Sequence, residues 1–282
     1  MIEAQELAVW QEHADWSQPW MVEQDYIICR AVALIFKDRF LSGQLAMRGG
    51  TILHKGHLAP ASRYSEDIDL VKTGDRPAAH IKLALKRVLK PLLGAPAENI
   101  LTQVTLAIRN VAMPSKIVRQ TYIFDPIDAQ SAIGQLKVEA NVNEVTPFLP
   151  IVTVPMTVPD GKGATVVIDV PSYDLNEMLG TKLRALLQRE HGRDLYDLWR
   201  AWQSAQGGGA AVDPAKVSDA FRFYMDREGS KIPPGWVAAE IARRMKSPKF
   251  LNDMTNYLPL GVNYSPAVAY DVFQSFYLPY LP

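Results

Sequence analysis

The feature that most constrains this chain is the run Asp67-Ile68-Asp69-Leu70, read together with the Gly49-Gly50-Thr51 turn upstream of it. Side chains two apart on a strand point to one face. If the run is extended, Asp67 and Asp69 project side by side, while Ile68 and Leu70 face a core. Two parallel carboxylates repel each other unless something positive sits between them, and a hard divalent cation with oxygen ligands is the usual solution. The apolar residues Leu45, Ala46 and Met47 lead into the glycines. Without Cβ atoms, Gly49 and Gly50 let backbone N–H groups approach a phosphate closely. Thr51 is placed to cap a following helix and to add a hydroxyl donor. Such a segment predicts phosphates on the turn and a metal on the Asp pair, the two halves of a nucleoside triphosphate site.

Composition sets outer bounds. A chain of 282 residues allows one large domain or two smaller ones. Its 48% hydrophobic and 21% charged residues are those of an ordinary globular protein. The 30 basic and 30 acidic residues give a formal net charge of zero, so a nucleic-acid surface has to be a local patch. The single cysteine, Cys29, excludes an internal disulfide and a cysteine-based zinc site, and its apolar surroundings predict burial. No apolar run reaches the ~18 residues of a membrane-span candidate. The first residues lack the basic and apolar pattern of a secretory leader, so a cytoplasmic location is expected.

Patterning predicts helices over residues 1–42, with Trp10, Trp16 and Trp20 as packing residues. The connector from His54 to Arg63 reads as a solvated loop; in the alternative, Lys55 or Arg63 meets phosphates or RNA. A helix is predicted over residues 77–93, with Ile81, Leu85, Val88, Leu89 and Leu92 as its apolar stripe. Strands are predicted over Leu101–Arg109, Lys116–Phe124, Leu136–Val142 and Thr165–Val170. Pro126, Gly134, Pro147, Pro150, Pro155 and Pro159 mark loops, and Asp125 and Asp128 read as turn residues. Within Leu136–Val142, Glu139 shares a polar face with Lys137 and Asn141. Asp174 or Asn176 is placed to cap a helix through Glu177–Glu190, Gly192 to end it, and Asp194 to begin the next, with Asp197 on the same face as Asp194. Further helices are predicted over Pro214–Arg227, Pro234–Met245, Pro248–Leu258 and Pro266–Leu278, with the aromatic segment from Tyr264 docked on the core. Several strands at short spacing after one helix predict an α+β fold with a mixed or antiparallel sheet. The segments are an N-terminal helical region (1–42), a core (43–172) and a helical C-terminal region (173–282).

Two separated signatures carry a family resemblance. Gly49-Gly50-Thr51 is followed by Arg63-Tyr64-Ser65-Glu66-Asp67-Ile68-Asp69-Leu70. Thr181-Lys182-Leu183-Arg184-Ala185-Leu186 is followed by Arg193-Asp194-Leu195-Tyr196-Asp197-Leu198. Together they resemble the AbiEii/AbiGii toxin family of nucleotidyltransferases, within the DNA polymerase β-like superfamily. The resemblance implies a polymerase β-like mixed sheet followed by a helical C-terminal domain that contributes Lys182 and Asp194 to the site. It also implies transfer of a nucleoside monophosphate from an NTP to an acceptor hydroxyl, with the tRNA 3′ end as acceptor and a cognate antitoxin as partner. The implied metal is Mg²⁺, or Mn²⁺ in its place, on Asp67, Asp69 and a third carboxylate from a later strand, Glu139 or else Asp169. Gly49, Gly50, Thr51, Arg63 and Ser65 fall on the nucleotide side. Lys182 would contact the triphosphate, Asp194 would act as base or orienting carboxylate, and Arg193 and Asp197 would hold that turn in place. Arg63, Lys86, Arg87 and Arg184 are the basic groups for an RNA footprint, and negative charge added at Ser65 would compete with the NTP phosphates. Three rivals stand beside this reading: a protein-modifying (AMPylating-type) transferase, an enzyme acting on a small molecule, and a non-catalytic nucleotide-binding module. The preferred NTP and the oligomeric state are open.

Overall fold

The strands are β1 (Leu45–Arg48), β2 (Asp67–Lys72), β3 (Glu98–Ile108), β4 (Val111–Phe124), β5 (Gly134–Asn141), β6 (Val152–Pro159) and β7 (Thr165–Ser172). In the computed structural model they form one mixed sheet in the order β3-β4-β5-β2-β1-β7-β6. The structure describes residues 4–108, 111–127, 133–143, 146–227, 229, 231–259 and 261–282. The end of the first predicted strand at Arg109, and Asp128, lie outside the described residues.

Strand pairing at the centre of the sheet positions the carboxylates. β2 pairs antiparallel with β1 and parallel with β5, and β5 pairs antiparallel with β4. The registers place Arg119, Glu139, Asp69 and Arg48 in one row across β4, β5, β2 and β1. Two residues earlier on β2, Asp67 stands opposite Lys137. The alternation expected of Asp67–Leu70 holds, with Ile68 and Leu70 buried.

Helix α1 (Ala4–Gln11) leads into α2 (Pro19–Lys37), which packs against β6, β5 and β2. Proline at the first turn of α2 sacrifices no hydrogen bond there. Among α2 residues, Ile27, Ile28, Cys29, Val32 and Ile35 are buried. So is Asp25, which binds Lys55 Nζ at 2.7 Å and accepts from Trp10 Nε1 at 2.9 Å. Lys55 is therefore an interior cation rather than a solvated one. After the short α3 (Arg39–Ser42) and β1, the chain makes α4 (Gly49–Ile52), and Leu53–His57 continues it as a π-helical turn. The expected solvated loop is thus largely a buried helical segment, with Leu53 and His54 inside. α5 (Ala78–Leu93) lies on β3 and β4.

The C-terminal helices are α6 (Leu175–Gln188), α7 (Gly192–Gln206), α8 (Pro214–Arg227), α9 (Trp236–Arg244), α10 (Pro248–Asn252) and α11 (Pro266–Val272). Asp174 caps α6 by accepting from the Asn176 N–H at 2.8 Å. Gly192 opens α7 rather than closing α6, which has already ended at Gln188. A Cβ at Gly192 would lie 2.1 Å from the Phe250 carbonyl oxygen, so close packing explains the glycine. The helix expected to reach Leu258 stops at Asn252. Ala269, Phe273 and Tyr277 of the final segment are buried, and one apolar cluster runs from Trp10 to Tyr277. Among the described residues, no helix is long and apolar enough to cross a membrane.

Candidate active site

The site is organised by the turn from β1 into α4. Gly49 has φ +82°, and a Cβ there would fall 2.1 Å from Asp69 Oδ2, so the backbone lies directly against that carboxylate. A Cβ on Gly50 would lie 2.7 Å from Arg63 Nη2 and 3.1 Å from Ser65 Oγ. Thr51 is not a cap: Arg48 occupies the N-cap position, and Thr51 sits inside α4. Its buried hydroxyl donates to the Asp67 carbonyl oxygen at 2.6 Å and meets Ser65 Oγ at 2.9 Å. Thr51 and Ser65 therefore tie the glycine turn to the start of β2 and set the spacing between Gly49 and the carboxylate pair.

Burial, and then the neighbouring charge of Asp69, push the Asp67 carboxyl up to about 7. Lys137, beside it, is the one group among the named causes that pulls the other way. Glu139 lies in register with Asp69, but its Oε1 is held by Arg119 Nε at 2.5 Å. Among the described residues, no three acidic, histidine or cysteine side chains converge as a ready metal cage. The donor set is nonetheless that of a hard divalent cation: carboxylate oxygens on one face, carrying repulsion that a positive ion relieves. Asp169 lies on β7, opposite Pro155 of β6 and apart from the β2–β5 pair.

Beside the pair lies a buried ionic network supplied by α6 and α7. Asp197 accepts from Arg63 Nε at 2.6 Å and Nη2 at 2.9 Å, from Lys182 Nζ at 2.7 Å, and from His54 Nε2 at 2.8 Å. Burial alone would raise the Asp197 carboxyl, but Arg63, Lys182 and His54 together hold it well below the usual carboxylate range. Asp194 is engaged by Lys182 at 3.2 Å and by Arg189 through a two-pronged contact at 2.8 and 2.9 Å. Against its burial, Lys182 and Arg189 lower its carboxyl too. Burial, and then the nearby Arg63, push His54 down to about 4, so it is neutral near pH 7. Lys182 has three N–H donors, of which these contacts use two. Arg63, which lies against Gly50 and binds Asp197, places this cluster beside the glycine turn.

A sequence model of the nucleotidyl transferase AbiEii toxin of type IV toxin–antitoxin systems matches residues 31–267. The chain belongs to this family. Its fold is similar to that of MenT4, a nucleotidyltransferase toxin from Mycobacterium tuberculosis, at TM-score 0.60 and 15% identity, covering 98% of this chain and 90% of that one. No curated protein sequence matches it. As an AbiEii-family protein it is a nucleotidyltransferase toxin, which implies an NTP substrate and an antitoxin partner.

The expected site residues of this AbiEii protein fall into two groups. Gly49, Gly50, Asp67, Asp69 and Glu139 gather where β1 turns into α4 alongside the paired strands β2 and β5. Lys182, Asp194, Asp197 and Arg63 meet in the buried network. The Arg63 side chain is buried, donating to Asp197 through Nε and Nη2 and to the Tyr64 carbonyl oxygen through Nη1. Arg184 is also buried, stacked 4.8 Å from the Tyr224 ring centroid, so Arg63 and Arg184 do not present the exposed RNA footprint expected of them together with Lys86 and Arg87. Asp194 is buried and paired to Lys182 and Arg189, which hold its carboxyl below the usual carboxylate value. Arg193 contacts Glu66 and Asp253 and stacks on Tyr257, rather than pairing with Asp197. Sequence reasoning misses Arg189, whose side chain is 46% exposed although it is bound to Asp194. Its one signal is a lone cation at the α6 terminus, five residues before Asp194.

Proposed function

We propose that this toxin transfers a nucleoside monophosphate from an NTP to the 3′ hydroxyl of tRNA and so arrests growth. The observation that carries the reading is the juxtaposition of Gly49 with Asp69: a glycine turn laid directly against the strand that bears the carboxylate pair. In this reading Asp67 and Asp69 hold Mg²⁺, with Mn²⁺ able to replace it. Glu139 is the third carboxylate, in competition with its Arg119 pairing. The bound cation would neutralise phosphate charge and lower the barrier to attack on the α-phosphorus.

The chain's own groups do the rest. Gly49 and Gly50 receive the β- and γ-phosphates. The unspent N–H of Lys182 and the exposed edge of Arg189 offset charge that builds on the leaving pyrophosphate. Asp194 and Asp197 aim those cations, Arg63 supports the turn beneath Gly50, and Thr51 and Ser65 lock the turn to β2. Added charge at Ser65 would break that lock. In the reaction, the acceptor oxygen bonds to the α-phosphorus as the α–β phosphoanhydride breaks. Its electron pair leaves with pyrophosphate, and the hydroxyl proton passes to water. Residues 43–172 act as the transferase core, 1–42 buttress it, and 173–282 deliver Lys182 and Asp194. Consumption of NTP and action on tRNA fit a cytoplasmic protein.

The test is transfer from each α-³²P-labelled NTP to lysate RNA and protein, with Mg²⁺, for wild type and Asp67→Asn. Label on a tRNA-sized band, lost in Asp67→Asn, is the expected result. Label on protein replaces the acceptor. No label anywhere, with NTP still bound, refutes the transfer reading.

A further inference from the structure

Beside Asp67 lies a cleft of about 310 Å³ whose other lining residues have no role assigned above. It lies at the small end of the ~300–1,000 Å³ range of ligand pockets. Trp20, Phe124 and Ile133 line it with apolar groups, and Glu23, Glu66 and the cross-strand pair Asp67 and Lys137 line it with charged ones. Trp20 is 37% exposed and Ile133 68%, although both are large apolar side chains. Such groups gathered round a concave surface mark a binding site. Two of these residues are held by their neighbours. Trp20 stands edge-on to Tyr64, with ring centroids 5.8 Å apart at 87°. Phe124 covers its cross-strand partner Gly134, where a Cβ would lie 2.2 Å from the ring.

Position identifies the occupant. The Gly49–Gly50 turn follows β1, on one side of β2, and touches Asp69. The cleft opens on the other side, walled by the ends of β4 and β5, and it is lined by Asp67. In-line displacement sets the attacking oxygen opposite the departing pyrophosphate. With pyrophosphate on the glycine turn, the attacking hydroxyl arrives from the cleft. A second hollow of about 400 Å³ shares Trp20 and Glu66 with the first and runs past Tyr64 and Tyr257. Trp20 thus stands between two adjoining hollows, an arrangement suited to successive bases of one strand. Aromatic platforms of this kind hold single-stranded RNA by stacking.

We propose that the cleft seats the 3′-terminal nucleoside of a single-stranded RNA acceptor, its base against Trp20 and its hydroxyl facing Asp67. The assignment rests on the transferase reading above and adds the acceptor's binding site to it.

The test measures two affinities on intact protein. One is fluorescence anisotropy of a short 5′-fluorescein RNA ending in CCA. The other is equilibrium dialysis of a non-hydrolysable α,β-methylene NTP with Mg²⁺. Wild type is compared with Trp20→Ala and with Ile133→Asp, whose exposed position leaves the core intact; circular dichroism checks folding. The expected result is RNA binding weakened roughly 5- to 150-fold by Trp20→Ala, the worth of one stacked base. Ile133→Asp weakens it as well, and NTP-analogue affinity stays unchanged. Weaker analogue binding with unchanged RNA binding would make the cleft the donor-base pocket and overturn the assignment. RNA affinity unchanged in both variants overturns it while leaving labelled transfer by wild type, and hence the reaction, standing. RNA that fails to bind wild type overturns both the cleft assignment and the RNA acceptor.

Discussion

Asp197→Asn is the substitution that probes the buried network most sharply. The Asp197 carboxylate is fully buried and receives Arg63 through two N–H groups, plus Lys182 and His54. Asparagine keeps the shape but removes the charge and puts an NH₂ where one oxygen accepted. Arg63 then loses its charge partner in the interior, while Lys182 keeps only Asp194. Breaking a buried pair in this way costs about 3–5 kcal/mol, because the remaining charge stays desolvated. Against a total stability of ~5–15 kcal/mol this is a large fraction. With a urea m-value near ~3 kcal/mol/M, the midpoint falls by about 1–1.7 M. Arg63→Met with Asp197→Leu should recover part of the loss, since the stranded guanidinium goes with its partner. Arg87→Ala serves as control: the Arg87–Asp38 pair is on the surface, with Arg87 65% exposed, and its loss costs within about 1 kcal/mol. The assay is urea unfolding followed by tryptophan fluorescence and circular dichroism. An Asp197→Asn midpoint equal to wild type would refute the reasoning, because the network would then be solvated rather than interior.

Acid titration without divalent metal separates two opposing groups. Asp67 binds its proton more tightly when folded, so acidification from about pH 7 stabilises through it; His54, pushed down to about 4, binds its proton more tightly when unfolded, so acidification destabilises through it. Between pH ~6.5 and ~4 each contributes a slope of about 1.4 kcal/mol per pH unit, of opposite sign. His54→Gln should therefore gain stability on acidification relative to wild type, and Asp67→Asn should lose it; parallel pH–stability curves for all three contradict the account. Gly49→Ala should abolish labelled transfer and lower the melting temperature, since its Cβ would fall 2.1 Å from Asp69 Oδ2 at a φ of +82°; unimpaired transfer would contradict the placement of the turn. Mg²⁺ at ten times its dissociation constant should stabilise wild type by about 1.4 kcal/mol, and Asp67→Asn or Asp69→Asn far less; an equal rise in melting temperature in all three would remove the metal from this pair.

Local patterning made the core of the site legible. Alternation alone put Asp67 and Asp69 on one face, and a glycine pair just upstream marked the close approach that Gly49 makes. The features that stayed hidden depend on distant partners. Arg63 meets Asp197 across 134 positions, and nothing near either residue signals the other. Arg119 takes Glu139 because β4 and β5 lie in a particular register, which alternation does not set. Pro155 and Pro159 read as loop markers, yet both lie in β6. Among the described residues it is an edge strand bonded on one side only, where proline is tolerated. The apparent loop after Ile52 is helical because Leu53 and His54 face inward and find partners that the sequence does not show. The wide exposure of Trp20 had no signal either, since aromatics at helical spacing normally pack.

The Asp67–Asp69 site is proposed to transfer a nucleoside monophosphate to an RNA 3′ hydroxyl. The most direct measurement is incorporation of α-³²P label from NTP into purified tRNA, with its 3′ end either intact or oxidised by periodate, by wild type and Asp69→Asn. Label is expected on intact tRNA with wild type alone, and none on oxidised tRNA, which lacks the attacking hydroxyl. Equal labelling of oxidised tRNA, or labelling that survives Asp69→Asn, would contradict it.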